Sequence, residues 1–344
     1  MPVFITIPLF FIFLIVLSGF LVSVPGYKGE VSDHFDGREF INPENIQPKG
    51  FREIFRWITS RKPGPWIEKT DIGKSIPEAR INSSDTIRVT FINHSTFLIQ
   101  TQGINILTDP IWSNRASPVP WAGPRRMCPP GVDIRALPDI DIILLSHNHY
   151  DHLDLPSIKR LQADHRPLII APLGIPGFLQ RKGIGNTVEL DWWQEYEIVE
   201  NVRIACVPAQ HFSGRGMFDR NNTLWCGFVV ILPKGNLYFA GDTGYGKFTS
   251  AIGEKYSPIR LSILPIGAYQ PEWLMKPIHT SPEEAVKIHF DCRAERSIAS
   301  HFGTFPLGDD GMTQPLTDLE NAKIKYNLAP EAFVTLMEGQ WRDF

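Results

Sequence analysis

Hydrophobic positions fall into three regimes along this chain. From Val3 to Val24 they run almost unbroken and without a charge. About 20 such residues suffice for a helix to cross a hydrocarbon core, so the run predicts an N-terminal transmembrane segment, a single-pass membrane anchor over residues 1–26. A cleaved signal peptide is the rival, although no basic n-region precedes the run. Leu17-Ser18-Gly19-Phe20 resembles a lipoprotein box with Phe20 in place of the acceptor cysteine. The first bases, Lys28 and Arg38, are mixed with Glu30, Asp33 and Asp36, which leaves the side of the membrane open.

In the second regime, residues 27–80, polar turn formers read as a linker followed by an amphipathic segment. Phe51, Ile54, Phe55 and Ile58 repeat at the spacing of one helix face. Arg52, Arg56, Arg61 and Lys62 flank that face, and Pro63-Gly64-Pro65 ends it. Such a stripe either packs on a domain or lies in a lipid interface.

The third regime, residues 81–344, alternates strands and helices. Strands are expected at Ile87–Ile92, Thr96–Gln100 and Ile104–Asp109, with His94 after the first and Asp109 ending the third. The arrangement recurs at Val202–Val207, Trp225–Leu232 and Leu237–Asp242, where His211 follows the first and Asp242 ends the third. This reads as a duplicated β-unit. Helical segments at Pro156–Ala163 and Pro282–Phe290 complete an α/β order. Two mixed β-sheets flanked by helices, an αβ/βα sandwich, accommodate it.

With 344 residues, 43% hydrophobic and 21% charged, the chain is globular. A net charge of -3 gives no electrostatic case for nucleic acid. The cysteines Cys128, Cys206, Cys226 and Cys292 form no CxxC pair and read as buried thiols.

Chemistry concentrates in Ser146-His147-Asn148-His149-Tyr150-Asp151-His152-Leu153-Asp154, directly after the apolar run Ile140–Leu145. Imidazole and carboxylate are the donors that zinc prefers. One histidine near a strand is usually an ordinary core or surface residue, but a cluster of polar rings without a shared partner is costly to bury. Strand ends that face one cleft supply the remaining donors. His147, His149 and His211 are assigned to one ion, Asp151, His152 and His301 to a second, and Asp242 bridges them. Asp109 is expected behind a ligand imidazole, fixing its tautomer. His34 and His165 read as surface residues.

These residues resemble the metallo-β-lactamase superfamily, whose HxHxDH motif matches His147 to His152. Longer words, among them Leu107-Thr108-Asp109-Pro110-Ile111-Trp112-Ser113, Glu189-Leu190-Asp191-Trp192-Trp193, Phe239-Ala240-Gly241-Asp242-Thr243-Gly244-Tyr245 and Pro265-Ile266-Gly267-Ala268-Tyr269, are similar to the N-acylphosphatidylethanolamine-hydrolysing phospholipase D family from about residue 87 onward. The resemblance implies a two-zinc phosphodiesterase that releases an N-acylethanolamine and phosphatidic acid, with a metal-bridging hydroxide attacking phosphorus. It implies Asp151 as a catalytic ligand, and His279 as an active-site histidine at the phosphate or the leaving alcohol. It also implies a homodimer. Tyr150 and Gln210, beside ligands, are candidate substrate contacts, and Trp192-Trp193 candidate membrane contacts. Asn93-His94-Ser95-Thr96 departs from the family's Gly-His-Ala-Thr and leaves His94 unassigned. A lactonase, another phosphodiesterase acting on a small substrate, and a non-catalytic membrane-anchored zinc or lipid-binding protein are the competing readings.

Overall fold

The computed structural model describes residues 19, 22–44, 46 and 49–344. Among these residues fourteen strands form two seven-stranded sheets, ordered β14-β1-β2-β3-β4-β5-β6 and β13-β12-β11-β10-β9-β8-β7. In the first, β1 (Arg88–Asn93), β2 (Thr96–Thr101) and β3 (Ile104–Thr108) run antiparallel. From β3 the sheet continues parallel through β4 (Ile142–Leu144), β5 (Leu168–Pro172) and β6 (Thr187–Leu190). The second repeats the scheme. Its antiparallel strands are β7 (Glu195–Val199), β8 (Val202–Val207), β9 (Gly227–Ile231) and β10 (Asn236–Phe239). Parallel pairing then runs through β11 (Ile259–Pro265), β12 (Ala294–Ser300) and β13 (Phe333–Val334). Strand β14 (Trp341–Asp343) returns to pair with β1.

Every residue of β2 and β3 is buried, because both faces of the sheet are covered. Side chains alternate across a strand. Phe97, Ile99 and Ile106 point into the core between the sheets. Leu98, Leu107 and Ile143 point the other way, under α2 (Leu155–Asp164) and α3 (Ile175–Arg181) through Ile158, Leu161, Phe178 and Leu179. On the second sheet α4 (Phe248–Tyr256), α6 (Pro282–Asp291) and α7 (Gln314–Lys325) cover the outer face; α5 (Glu272–Met275) is a single turn. The start of α6 is set locally: Ser281 Oγ accepts from the Glu284 N–H, Glu284 accepts from the Ser281 N–H, and Pro282 needs no partner. The architecture is the αβ/βα sandwich expected from the strand order.

Among the described residues no helix is long and apolar enough to cross a membrane. This corrects the expected N-terminal transmembrane segment, although most of residues 1–26 lies outside the described residues. The physical reason shows at the far end of the run. Val24 is buried in the core beneath α2 and α3, and its N–H donates to Asp219 Oδ2 at 2.7 Å. Residues past Val24 are also built in: Phe35 and Phe40 are fully buried and joined by an antiparallel bridge. His34, expected at the surface, is buried beneath the chain and stacked on Trp192 at 4.4 Å. Trp192 itself is buried, its Nε1 donating to Trp225 O, which removes it from the candidate membrane contacts. Helix α1 (Phe51–Ser60) turns Ile54, Phe55 and Ile58 outward. Its C-terminal end is tied down by Arg61, which donates to Asp309 and Gly308 O.

Candidate metal centre

The carboxyl ends of β3, β4, β8, β10 and β12 lie along one edge of the sandwich, and the loops after them carry the expected donors. After β4 the chain enters the His147–Asp154 loop. Its shape is held from outside: the buried Arg215 guanidinium donates to Asn148 O and Leu153 O, both at 2.8 Å, and stacks over Tyr150 at 3.9 Å. Asn148, the apparently idle position of the motif, accepts the Gly214 N–H at 2.7 Å. Gly241 lets the β10 loop press against this one. It has φ +62, and a Cβ there would lie 2.7 Å from Ser146 Cβ.

The structure brings all seven assigned donors together. His147 Nε2 lies 2.8 Å from His149 Nδ1, which lies 3.2 Å from His211 Nε2. Asp151 Oδ2 lies 3.3 Å from His152 Nε2 and 3.4 Å from His301 Nε2. Asp242 Oδ2 reaches both sides: 3.1 Å to His301, 3.3 Å to His152 and 3.8 Å to His211. Of the two residues outside the donor set, His279 comes within 3.8 Å of Asp242 through Nδ1. His94 joins Asp151 directly, Nε2 to Oδ2 at 3.0 Å.

Asp109 lies behind the cluster. Its Oδ2 accepts from His152 Nδ1 at 2.7 Å and from Ser146 Oγ at 2.6 Å, and Oδ1 accepts the Ser146 N–H at 2.7 Å. Because the Ser146 hydroxyl spends its hydrogen on Asp109, it accepts from His147 Nδ1 at 2.9 Å. One carboxylate therefore sets the tautomer of His152 directly and of His147 through a serine. His211 Nδ1 donates to Ile278 O at 2.7 Å. In all three rings Nε2 is left facing the cluster, free of a tautomeric hydrogen.

Charge follows from burial and neighbours. Burial and the adjacent imidazoles hold His147 well below the usual histidine range; burial also takes His149 and His279 down to about 4 and His94 to about 3. His211 is likewise lowered by burial, against the pull of Asp242. Burial opposes protonation of His152 and His301 too, yet Asp242 and Asp151 outweigh it, raising His152 and pushing His301 up to about 9. The same imidazoles hold Asp151 and Asp242 ionised against burial. His152 Nε2, Asp242 Oδ1, His279 Nδ1 and both His301 nitrogens are buried without a hydrogen-bond partner among the described residues. Orphaned polar atoms of this kind are expensive. A divalent cation that displaces the protons of His152 and His301 would satisfy them, and the residues fit it by type and by placement.

The candidate substrate contacts separate. Tyr150 lines an open cleft of about 540 Å³ with Arg115, Phe178, Lys182 and Arg215. Gln210 is buried, and its Nε2 donates to Pro277 O at 3.2 Å, beside the loop that carries His279. Sequence reasoning missed Ser146 as a relay, His94 as a partner of Asp151, and Arg215. The position of His94, matching that of His211 in the second unit, was the one available signal.

Residues 104–302 match the model of the beta-lactamase superfamily domain. The chain is 37% identical over 330 residues to the N-acyl-phosphatidylethanolamine-hydrolyzing phospholipase D 1 of Caenorhabditis elegans, covering 89% of this chain and 92% of that one. It is 38% identical over 238 residues to the mitochondrial N-acyl-phosphatidylethanolamine-hydrolyzing phospholipase D of Saccharomyces cerevisiae, covering 67% of this chain and 50% of that one. Among solved structures, the metallo hydrolase Igni18 of Ignicoccus hospitalis superposes with a TM-score of 0.58 at 21% identity, over 75% of this chain and 98% of that one. This last likeness concerns the fold.

Proposed function

The chain belongs to the N-acyl-phosphatidylethanolamine-hydrolyzing phospholipase D family of metal-dependent hydrolases, and we propose from that premise that it cleaves N-acylphosphatidylethanolamine to an N-acylethanolamine and phosphatidic acid with two zinc ions. The observation that carries the reading is the placement of Asp242 Oδ2 between two groups of donors. His147, His149 and His211 would hold one ion, Asp151, His152 and His301 the other, and Asp242 both. When bound, such ions lower the pKa of water and polarise phosphoryl oxygens, which an unassisted phosphodiester lacks.

The chain's own residues supply the rest. Asp109 and Ser146 keep the ligand rings in one tautomer. His279, pushed down to about 4 by burial, stands neutral at pH 7. A neutral imidazole donates one N–H and carries no proton to give away, so His279 serves as a hydrogen-bond donor to the charge that builds on phosphate oxygens. A lipid substrate is supported by exposed apolar surface nearby. Ile54, Phe55 and Ile58 of α1 are exposed, and Arg56 lies over the half-exposed Trp273 at 5.0 Å. Trp273 belongs to α5, directly before the His279 loop. A stripe of aromatic and apolar residues flanked by arginines suits a lipid interface.

The test is turnover of metal-loaded protein on vesicles containing N-acylphosphatidylethanolamine, set beside an acyl lactone and a nucleotide diester. Phosphatidic acid should form, stop on chelation and resume with zinc, and Asp151→Ala should form none. Turnover that survives metal depletion would sink the proposal, as would lactone hydrolysis with the phospholipid untouched.

A further inference from the structure

Residues 24–44 form an arm laid across the hydrolase domain. At its start Val24 is gripped twice, by Asp219 Oδ2 at its N–H (2.7 Å) and by Asn222 Nδ2 at its carbonyl (2.9 Å). Tyr27 N–H donates to Asn222 O at 3.0 Å, and Phe40 N–H to Asn221 O at 2.9 Å. Between these points Phe35 and Phe40 enter the core with ring centroids 4.7 Å apart. His34 lies between two carboxylates, Nδ1 to Asp33 at 2.6 Å and Nε2 to Asp191 at 2.7 Å. At the far end of the arm the Glu44 carboxylate accepts the Lys247 N–H.

The arm's contact with the metal centre is Asn42. Its Nδ2 donates to His211 O at 2.8 Å, and its Oδ1 accepts the His211 N–H at 2.8 Å. A side-chain carboxamide here does what an opposite residue does in a β-ladder, pairing both backbone groups of one residue. His211 needs this because β8 ends at Val207, and among the described residues no strand pairs with the chain beyond it. Without Asn42 the N–H and C=O of His211 would lose both partners beside a buried ring, and a buried polar group without a partner is costly. The ring is already held at Nδ1 by Ile278 O. Asn42 therefore supplies two of three constraints that aim His211 Nε2 at His147 and His149.

We infer that Asn42 is a positioning residue of the metal centre, so that residues 24–44 belong to the site and do not merely tether it. The inference rests on the metal reading above, but not on the substrate. Asn42 touches neither a reacting atom nor a metal-facing nitrogen; it acts through the backbone of His211.

The experiment measures the rate at which zinc passes from the full-length protein to a chromogenic chelator, together with the visible spectrum of the cobalt-substituted form. It compares Asn42→Ala with Asn222→Ala, which loosens the Val24 end of the arm and leaves His211 alone. Positioning predicts that Asn42→Ala releases the metal at His147, His149 and His211 about ten- to a hundredfold faster, the order of the affinity lost with partners behind a ligand, and alters the cobalt spectrum. Asn222→Ala should change neither, even where both variants lose similar thermal stability. Equal release rates in the two variants would make the arm a structural brace and overturn the inference. Should Asn42→Ala fail to fold, Asn42→Asp decides: it keeps the acceptor for the His211 N–H, loses the donor to the carbonyl, and should still release metal faster than Asn222→Ala. Wild-type protein that takes up no zinc overturns the metal reading and the inference together. Zinc uptake without phospholipid cleavage overturns the substrate alone.

Discussion

In the first β-unit Asp109 follows β3, and in the second Asp242 follows β10. Both carboxylates are buried, both come within 3.3 Å of His152, and both descend from the same place in a repeated pattern. Asp109 faces away from the cluster and is saturated with hydrogen, by His152 Nδ1 and by the hydroxyl and N–H of Ser146. Asp242 faces into it, and its Oδ1 has no hydrogen-bond partner among the described residues. The histidines after β1 and β8 divide in the same way. His94 points its Nε2 at a carboxylate, whereas His211 points its Nε2 at imidazoles. Repetition of a strand unit thus fixes where a side chain stands, and the loops across from it decide which groups it meets.

Substitution in matched pairs tests this division. Asp242→Ala should abolish phospholipid turnover, with tightly bound metal reduced, by elemental analysis of dialysed protein. Asp109→Asn, at the equivalent point, should leave turnover measurable and weaken metal binding about 10–100-fold, since it disturbs the tautomers of His152 and His147 without removing a donor. Equal loss in both variants would erase the distinction. His94→Ala should cost less again, under about tenfold in metal affinity by the same outer-partner reasoning, because Asp151 keeps His152 and His301 at 3.3 and 3.4 Å. A loss as large as that from His211→Ala would place His94 among the ligands.

The smallest effect concerns pH and the arm. Burial opposes protonation of His34, but Asp191 and Asp33 outweigh it and raise its pKa above the ordinary 6.5. The folded protein therefore holds this proton more tightly than the unfolded chain. The stabilisation is complete below about pH 6.5 and is lost as pH rises through the folded value. Denaturant unfolding of the protein and of His34→Gln should give the largest difference near pH 6 and a shrinking one above it. A difference that grows with pH would reverse the assignment of charge.

The strands were legible because β-branched and aromatic residues cluster in them and turns separate them, and Asp109 and Asp242 stood out once the two units were aligned. The candidate metal donors were legible because ligation demands residue types that packing does not. Asn42 was not. Its partner is the backbone of a residue 169 positions away, and a backbone carries no side-chain pattern to match. Arg215 was invisible for the same reason, since it reads carbonyls. At the N-terminus apolar length alone does not distinguish a bilayer from a protein core, and Val24, at the end of the apolar run, is in the core. His34 looked like a surface residue amid acids, and those acids are what make its burial affordable.

The pairing of β14 with β1 bears on how the protein is made. Arg88 grips Asp343 with two nitrogens, at 2.7 and 2.8 Å, and the two residues are 255 positions apart. Until β14 has been synthesised, β1 presents a row of unpaired N–H and C=O groups, and an open edge of this kind is a template for another chain. Synthesis therefore passes through an interval in which the loops around His147–His152, His211, Asp242 and His301 already exist while the largely buried strand β1 still forms the open edge of the first sheet.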